Sequence, residues 1–235
     1  MLPDLAMNAH SPVDWFPLLL SLRVAVLSTL LVLVFGTGLA YLLSHKEFRG
    51  KNLLDSVITL PLVLPPTVLG YYLLVLVGRA SPLGRVYEAL FGQPLVFTWQ
   101  AAVVAAFLHS GPIYIKAART VLEAVDYRYE WAAKSLGASE WRIFRQVTLP
   151  LAGRGLRSLG ALSFARSLGD FGVTIMVAGN IPGRTQTLSV AIYDAVESGN
   201  GHLARVFVAV ISIVALALLW PSSYWSRSTR LSNAA

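Results

Sequence analysis

Long apolar runs dominate the chain, and each is about as long as a helix that crosses a membrane. At 1.5 Å per residue, about 20 helical residues cross a hydrocarbon layer about 30 Å thick. We predict an all-α, polytopic membrane protein, because a helix satisfies its own backbone hydrogen bonds inside lipid. It has one membrane domain over residues 1–235, with a core at about 16–225. The five predicted transmembrane helices lie at about residues 16–43, 53–78, 96–117, 155–179 and 203–224.

Two shorter segments between the long runs also carry apolar residues at helical spacing. Residues 84–91 and 188–196 are too short to cross a bilayer, so we predict two short helices that lie across the outer mouth. The stretch GNIPGRTQT, which starts at Gly179 and precedes the second of them, is rich in turn-forming residues. It is predicted to be a loop.

The second long run contains three prolines, Pro61, Pro65 and Pro66. Each removes a backbone donor, and together they predict a broken or kinked helix. Freed carbonyls often line a cavity in transporters, so one interpretation is a gate. The other interpretation is a kink that fits the neighbouring helices and has no further role.

The charges predict which side of the membrane each connection faces. The chain is 55% hydrophobic and 13% charged, with 19 Lys and Arg and a net charge of +7. Thirteen of the 19 lie after the first and third runs and in the C-terminal tail, and four lie in the other connections. The positive-inside rule then places the N-terminus outside and the C-terminus in the cytoplasm. This distribution accounts for the basic charge without a nucleic-acid partner.

Catalytic and metal-binding patterns are absent from the sequence. It has no cysteine, no GxxxxGK[ST] phosphate-binding loop and no HExxH motif, and its four histidines lie in different segments. We therefore expect no catalytic residue, no metal site and no cofactor in this chain. Energy for any transport would have to come from a partner protein.

The connection at residues 119–150 is predicted to be the main cytoplasmic unit. A helix is expected at 123–136, ended by Gly137, and a second helix capped by Ser139. Pro150 is expected to restart the chain toward the membrane. Ala132, Ala133 and Gly137 would form a small-residue surface for another protein, although a basic helix lying on anionic lipid is the alternative.

This connection resembles the EAA loop of the inner-membrane permeases of bacterial ABC importers. The matching residues are Ala132, Ala133, Gly137, Val147, Leu149 and Pro150, whereas Trp131 directly precedes the alanines and Glu130 lies one place earlier than usual. The resemblance implies a type I ABC-importer permease fold whose coupling helix docks on an ATPase. The residues implied in this coupling are Glu130, Ala132, Ala133, Gly137, Leu149 and Pro150.

Two further stretches are similar to sulfate and molybdate permeases. They are LDSVITLPLVLPPTVLGYYLLVLVGRASPLG from Leu54 and FARSLGDFGVTIMVAGNIPGRTQT from Phe164, and the resemblance extends over roughly residues 18–225. It implies a bacterial inner-membrane homodimer, two ABC ATPase subunits that bind ATP and Mg, and a periplasmic oxyanion-binding protein. The short chain favours molybdate as cargo, with sulfate, tungstate or thiosulfate as alternatives.

The fourth run has a polar face. On a helical wheel its polar residues fall within an arc of about 100°, which lipid would not face. One interpretation is that this arc lines the path between two permease copies; the other is that Arg166 and Asp170 form a structural ion pair. A membrane-embedded enzyme is a remote alternative, and a structural scaffold would not need such a face. The residues of the arc are Ser163, Arg166, Ser167, Asp170 and Thr174.

Overall fold

The computed structural model describes the backbone of residues 13–232 and the side chains of residues 13–220. His10, the predicted external N-terminal segment and the side chains of Arg227 and Arg230 lie outside this range. Within it the chain forms ten helices. They are α1 (Phe16–His45), α2 (Lys51–Val63), α3 (Pro66–Val77), α4 (Pro82–Phe91), α5 (Trp99–Glu123), α6 (Tyr127–Ser135), α7 (Glu140–Leu168), α8 (Gly172–Ala178), α9 (Leu188–Glu197) and α10 (Gly201–Ser232).

The five predicted membrane runs correspond to helices, but two of them are broken. Helices α1, α5 and α10 are long and apolar enough to span a membrane. Helices α7 and α8 pass the same test only together, with a bend of 58° between them, and so do α3 and α4, with a bend of 64°. The second pair differs from the predicted run at about 53–78, which is divided between α2 and α3. The structure therefore has three unbroken candidate spans, or up to five if each bent pair is one span.

The predicted break in the second run is confirmed, and its position is now defined. Leu64 and Pro65 are extended, with ψ near 140°, and they separate α2 from α3. Pro66 occupies the first turn of α3, where a missing N–H is tolerated. Pro61 lies inside α2, so it does not break the helix.

Pro150 does not restart the chain, contrary to the sequence prediction. Helix α7 runs through it without interruption, because a π-helical turn at Phe144–Thr148 directly precedes it. In this turn Leu149 donates its N–H to the carbonyl of Phe144, five residues back. The wider turn relieves the conflict between the proline ring and the preceding carbonyls. A second π-helical turn lies in α1 at Val32–Gly36.

Both predicted short helices are present, as α4 and α9. Ser81 caps α4 by accepting a hydrogen bond from the N–H of Gly84 at 2.8 Å. Helix α9 begins against α1, where Ser21 accepts the N–H of Leu188 at 2.7 Å. The first contact caps α4 within its own first turn, and the second fixes the start of α9 to α1.

Helix α5 lies at the centre and packs against α1, α7 and α8. Two apolar clusters form the core around it, one including Val24, Ala102 and Val177, the other including Val32 and Ile115. Buried hydroxyl groups occupy the positions between the two clusters on α1, α5 and α7. We call this group the polar layer, and it consists of Ser28, Thr29, Ser110, Ser163 and Ser167.

Candidate translocation and coupling sites

The polar layer joins α5 to α7 through a direct hydrogen bond. Ser167 donates its hydroxyl to the hydroxyl of Ser110 at 3.1 Å, and both side chains are buried. Gly160, one turn before Ser163, lets α7 approach α1, since a Cβ there would lie 3.2 Å from Leu33. The predicted polar face of α7 therefore packs against the central helix in this conformation.

Arg166 and Asp170 do not form the direct ion pair that was one of the two interpretations of this face. Within the described part of the chain, no nitrogen of Arg166 lies within 4.0 Å of the Asp170 carboxylate. Instead Arg166 Nη2 lies 3.2 Å from His109 Nε2, and His109 Nδ1 lies 3.9 Å from Asp170 Oδ1. A guanidinium can only donate, so His109 Nε2 accepts, and the ring proton of neutral His109 lies on Nδ1, facing Asp170.

Asp170 and Thr174 lie beyond a break that the helical wheel did not anticipate. Helix α7 ends at Leu168, and α8 begins at Gly172. Asp170 is buried in the intervening turn, where its Oδ2 accepts the hydroxyl of Thr174 at 2.6 Å. His109 and a hydrogen bond thus connect Arg166, Asp170 and Thr174 across the break. Ser163 and Ser167 lie on α7 before the break, so the predicted arc is not one continuous helical face.

Three buried polar atoms near this break lack a hydrogen-bond partner among the residues that the structure describes. They are Ser163 Oγ, Arg166 Nε and Asp170 Oδ1. Ser163, Ser167, Asp170 and Thr174 are buried, while Arg166 is half-buried. A donor on Arg166 and a hydroxyl on Ser163 therefore remain free to bind a polar ligand that enters between α5 and α7.

Helix α6 is the main exposed element of the predicted coupling loop. The structure shortens the prediction, because α5 continues to Glu123 and α6 begins only at Tyr127, after the capping carboxylate of Asp126. Gly137 ends the helix, as predicted, with a φ of +78° that favours glycine. Ser139 precedes α7 but makes no capping hydrogen bond through its side chain.

Helix α6 has no buried residue, and large apolar side chains on it and next to it are exposed. Leu136 is 89% exposed, Trp131 is 69% exposed, and Trp141 at the start of α7 is 68% exposed. Ala132 is exposed beside them, and Ala133 is half-buried. Large exposed apolar side chains of this kind are typical of an interaction surface.

Glu130 points back into the chain. Its Oε1 accepts the hydroxyl of Thr148 at 2.5 Å and lies 3.2 Å from His45 Nε2. The side chain is 20% exposed. Leu149 and Pro150, the other predicted coupling residues, lie within α7, next to its π-helical turn.

Two histidines that the sequence prediction treated as scattered have specific partners. His109 lies between Arg166 and Asp170, and His45 contacts Glu130. An ionisable residue inside an apolar run was a usable signal for His109. Its partners lie 57 and 61 positions away, so no local pattern could have identified them.

Comparison with known proteins places this membrane bundle in a class. The membrane-length helices enclose buried hydroxyl groups, and helix α6 is exposed beside them. Residues 32–224 match the family described as binding-protein-dependent transport system inner membrane component. The chain belongs to this family and is a permease subunit of an ABC transporter.

Relatives and a solved structure agree with this assignment. The molybdenum transport system permease protein ModB of Escherichia coli (strain K12) is 44% identical over 218 residues, covering 92% of this chain and 95% of that protein. The sulfate transport system permease protein CysT of the same organism is 36% identical over 187 residues, covering 80% and 67%. The inward-facing MetNI methionine ABC transporter matches with a TM-score of 0.70 at 17% identity, covering 93% and 98%. The predicted all-α importer-permease fold is confirmed.

Proposed function

We propose that this chain forms the membrane path of an ATP-driven importer that carries molybdate into the cytoplasm by alternating access. The observation that supports this most directly is the similarity to the molybdenum permease along nearly the whole length of both chains. The exposed helix α6 supplies the surface that a separate ATPase needs. At the polar layer, the hydroxyls of Ser110 and Ser163 line the same pocket as the cation Arg166.

The path is proposed to run through the polar layer. Ser163 of the layer and Arg166 beside it offer unpaired donors. Ser167 lies in the same layer, and Asp170 and Thr174 extend the polar groups around the bend between α7 and α8. A transporter must release its cargo, so dispersed hydroxyl donors suit a dianion better than a cluster of cations. Opening the seam between α5 and α7 would bring these groups to the path between two subunits.

The partners follow from the proposed mechanism. Two ABC ATPases, which bind ATP and Mg, would dock on Ala132, Ala133, Gly137 and the surrounding apolar surface of α6. Two copies of this permease would enclose the path, and a periplasmic oxyanion-binding protein would deliver the cargo. The basic asymmetry supports an external N-terminus and a cytoplasmic α6.

The break at Leu64 and Pro65 is proposed as a gate element. Helix α3 packs closely on α8 there, because a Cβ on Gly172 would lie 2.7 Å from Pro66 Cβ. The break therefore contacts the same short helix that carries Thr174. Movement at the break would therefore displace α8 and with it the side chain of Thr174.

Sulfate is the second candidate cargo, supported by the sulfate permease relative. Both ions are tetrahedral dianions and differ mainly in size. The permease, its ATPase and its binding protein, reconstituted in liposomes, should take up labelled molybdate when ATP is supplied. Uptake of sulfate with no uptake of molybdate would replace the proposed cargo, and no ATP-dependent uptake of either ion would contradict the proposed function.

A further inference from the structure

One end of α1 is tied to the coupling loop by residues far away in the sequence. His45, the last residue of α1, contacts Glu130 on α6, 85 positions away. Lys46, the next residue, forms an ion pair with Glu140 at the start of α7, 94 positions away. We call the group His45, Lys46, Glu130, Glu140 and Thr148 the charged strut.

Glu130 is the centre of the strut because it joins three elements. An ionised carboxylate only accepts, so His45 Nε2 and the Thr148 hydroxyl both donate to Oε1. Thr148 lies in the π-helical turn of α7. One carboxylate therefore links the end of α1, the helix α6 and the irregular turn of α7.

The imidazole of His45 is held in place for this contact. Its Nδ1 lies 2.6 Å from the hydroxyl of Ser44. The ring also stacks on Tyr41, with 4.3 Å between centroids. Tyr41 in turn packs on Phe144 of α7 at 4.4 Å. A side chain restrained in this way transmits displacement better than a freely rotating one.

The second tie is electrostatic and more exposed. Lys46 is 44% exposed and Glu140 is 59% exposed. The hydrogen bond from Lys46 holds the pKa of Glu140 below its ordinary value, and the charge of Lys46 acts in the same direction. Glu140 therefore stays ionised at neutral pH. The pair attaches the end of α1 to a second helix beside the coupling loop.

Chain connectivity explains why these ties matter. A displacement of α6 reaches α5 and α7 directly through the backbone. Helix α1 is separated from α6 along the chain by α2, α3, α4 and α5, so it follows α6 only through non-covalent contacts. Helix α1 also carries Ser28 and Thr29 of the polar layer.

We infer that the charged strut makes α1 move with the coupling loop. The displacement that the ATPase causes in this loop then reaches the polar layer through α1 as well as through α5 and α7. Glu130 is then a positioning residue inside the permease and not a contact to the ATPase. This inference rests on the proposed function. It adds a transmission route to it, together with the residues that form that route.

Charge reversal tests the exposed tie without disturbing the buried core. Lys46→Glu and Glu140→Lys each place like charges opposite one another, and the double variant restores an opposite pair. Each single variant should co-purify with the ATPase and hydrolyse ATP as the wild type does. Molybdate uptake per ATP hydrolysed should fall roughly three- to tenfold, the range typical of a disrupted coupling contact. The double variant should recover most of it.

A matched control is available one residue away. Glu47→Lys makes the same change of charge as Glu140→Lys, but the partner of Glu47 is Lys51, only four positions on. This control should leave the uptake per ATP unchanged. Unchanged coupling in both single variants, or a double variant that does not recover, would overturn the inference.

A chemical cross-link provides a second measurement that does not depend on charge. The chain has no cysteine, so Lys46→Cys with Glu140→Cys gives a unique pair. A short bifunctional thiol reagent should restore the uptake per ATP that the two substitutions remove, because both positions move together. Loss of uptake on cross-linking would show that the two sites separate during transport and would overturn the inference.

Transport by the wild-type complex distinguishes failure of the proposed function from failure of the strut inference. If that complex shows no ATP-dependent oxyanion uptake, the proposed function fails. If the wild-type complex transports normally, two results would contradict only the strut inference. One is unchanged coupling in both single charge-reversal variants, and the other is loss of uptake on cross-linking.

Discussion

Arg166 is hydrogen-bonded to His109, with 3.2 Å between Nη2 and Nε2. The sequence spacing of four pointed instead to Asp170 as its partner. The imidazole intervenes because α7 ends at Leu168, before Asp170, and α5 passes beside the break. Arg166, His109 and Asp170 therefore form a series of polar contacts that crosses between α7 and α5.

Removing the charged side chains of Arg166 and Asp170 tests the role of this series of contacts in transport. Arg166→Leu together with Asp170→Leu should be made in normal amount and retain the ATPase, but molybdate uptake should fall to background because the polar lining is lost. Accumulation at limiting molybdate, normalised to permease abundance, is the measurement. The control is Lys116→Leu with Asp55→Leu, which removes another inter-helix pair, at 2.7 Å. Near wild-type uptake in the Arg166→Leu, Asp170→Leu variant would show that these two residues have a structural role. Ser163, Ser167 and Thr174 would then remain the path candidates.

His109 should prove necessary for the arrangement of Arg166. In His109→Leu the guanidinium loses an acceptor in a half-buried site, which costs about 1–3 kcal/mol. We expect a lower melting temperature of the purified complex and reduced uptake. His109→Gln retains a hydrogen-bonding group and should recover part of both. Equal behaviour of the two variants would contradict a hydrogen-bonding role for this side chain.

The exposed surface of α6 is predicted to dock the ATPase. Ala132→Trp should leave the permease in the membrane but abolish co-purification of the ATPase, because an indole does not fit a closely packed interface. A helix lying on lipid would tolerate the same change. Wild-type association with wild-type uptake would therefore favour the lipid-surface alternative.

Gly137 needs a different substitution from Ala132. Its φ of +78° means that any side chain strains the backbone, although no atom lies within 4 Å of a Cβ built there. Gly137→Ala should cost about 1 kcal/mol of stability and leave ATPase association intact. Co-purification and thermal melting, measured on the same preparation, separate the two effects. Loss of association without loss of stability would show that even a methyl group at Gly137 is too large for the docking interface.

Close packing between α3 and α8 predicts a contrast between two glycines. A Cβ on Gly70 would lie 2.6 Å from Met176 Cβ, whereas nothing lies within 4 Å of one on Gly38. Gly70→Ala should destabilise the protein by about 1–3 kcal/mol, because one of the two helices must shift. Gly38→Ala, inside α1, should be neutral or slightly stabilising. The melting temperatures of the two purified variants provide the comparison, and equal values would contradict the packing.

Reporter fusions test the orientation of the chain. Fusions after Lys51 and after Ala138 should report cytoplasm, and fusions after Gln93 and Thr185 should report the outside. The second site lies in the turn after α6, because Pro150 is inside a continuous helix. An external location for Ala138 would exclude ATPase docking on α6.

The sequence by itself determined the features that depend on local pattern. Apolar run length identified the candidate spans, because the thickness of a bilayer sets the number of helical residues needed to cross it. Gly137 marked the end of α6, and Pro65 marked the break before α3, since both act through their own backbone geometry. The family resemblance was carried by short stretches in which residue type and spacing are preserved.

Only the tertiary structure decided which distant side chains meet. The contact of His45 with Glu130 and that of His109 with Arg166 each join separate helices, and a helical period holds no information about the partner across an interface. The bend at Gly169–Phe171 invalidated the helical wheel for Thr174, and the π-helical turn let α7 continue through Pro150. Such contacts and backbone states depend on packing between helices, which local propensity alone does not specify.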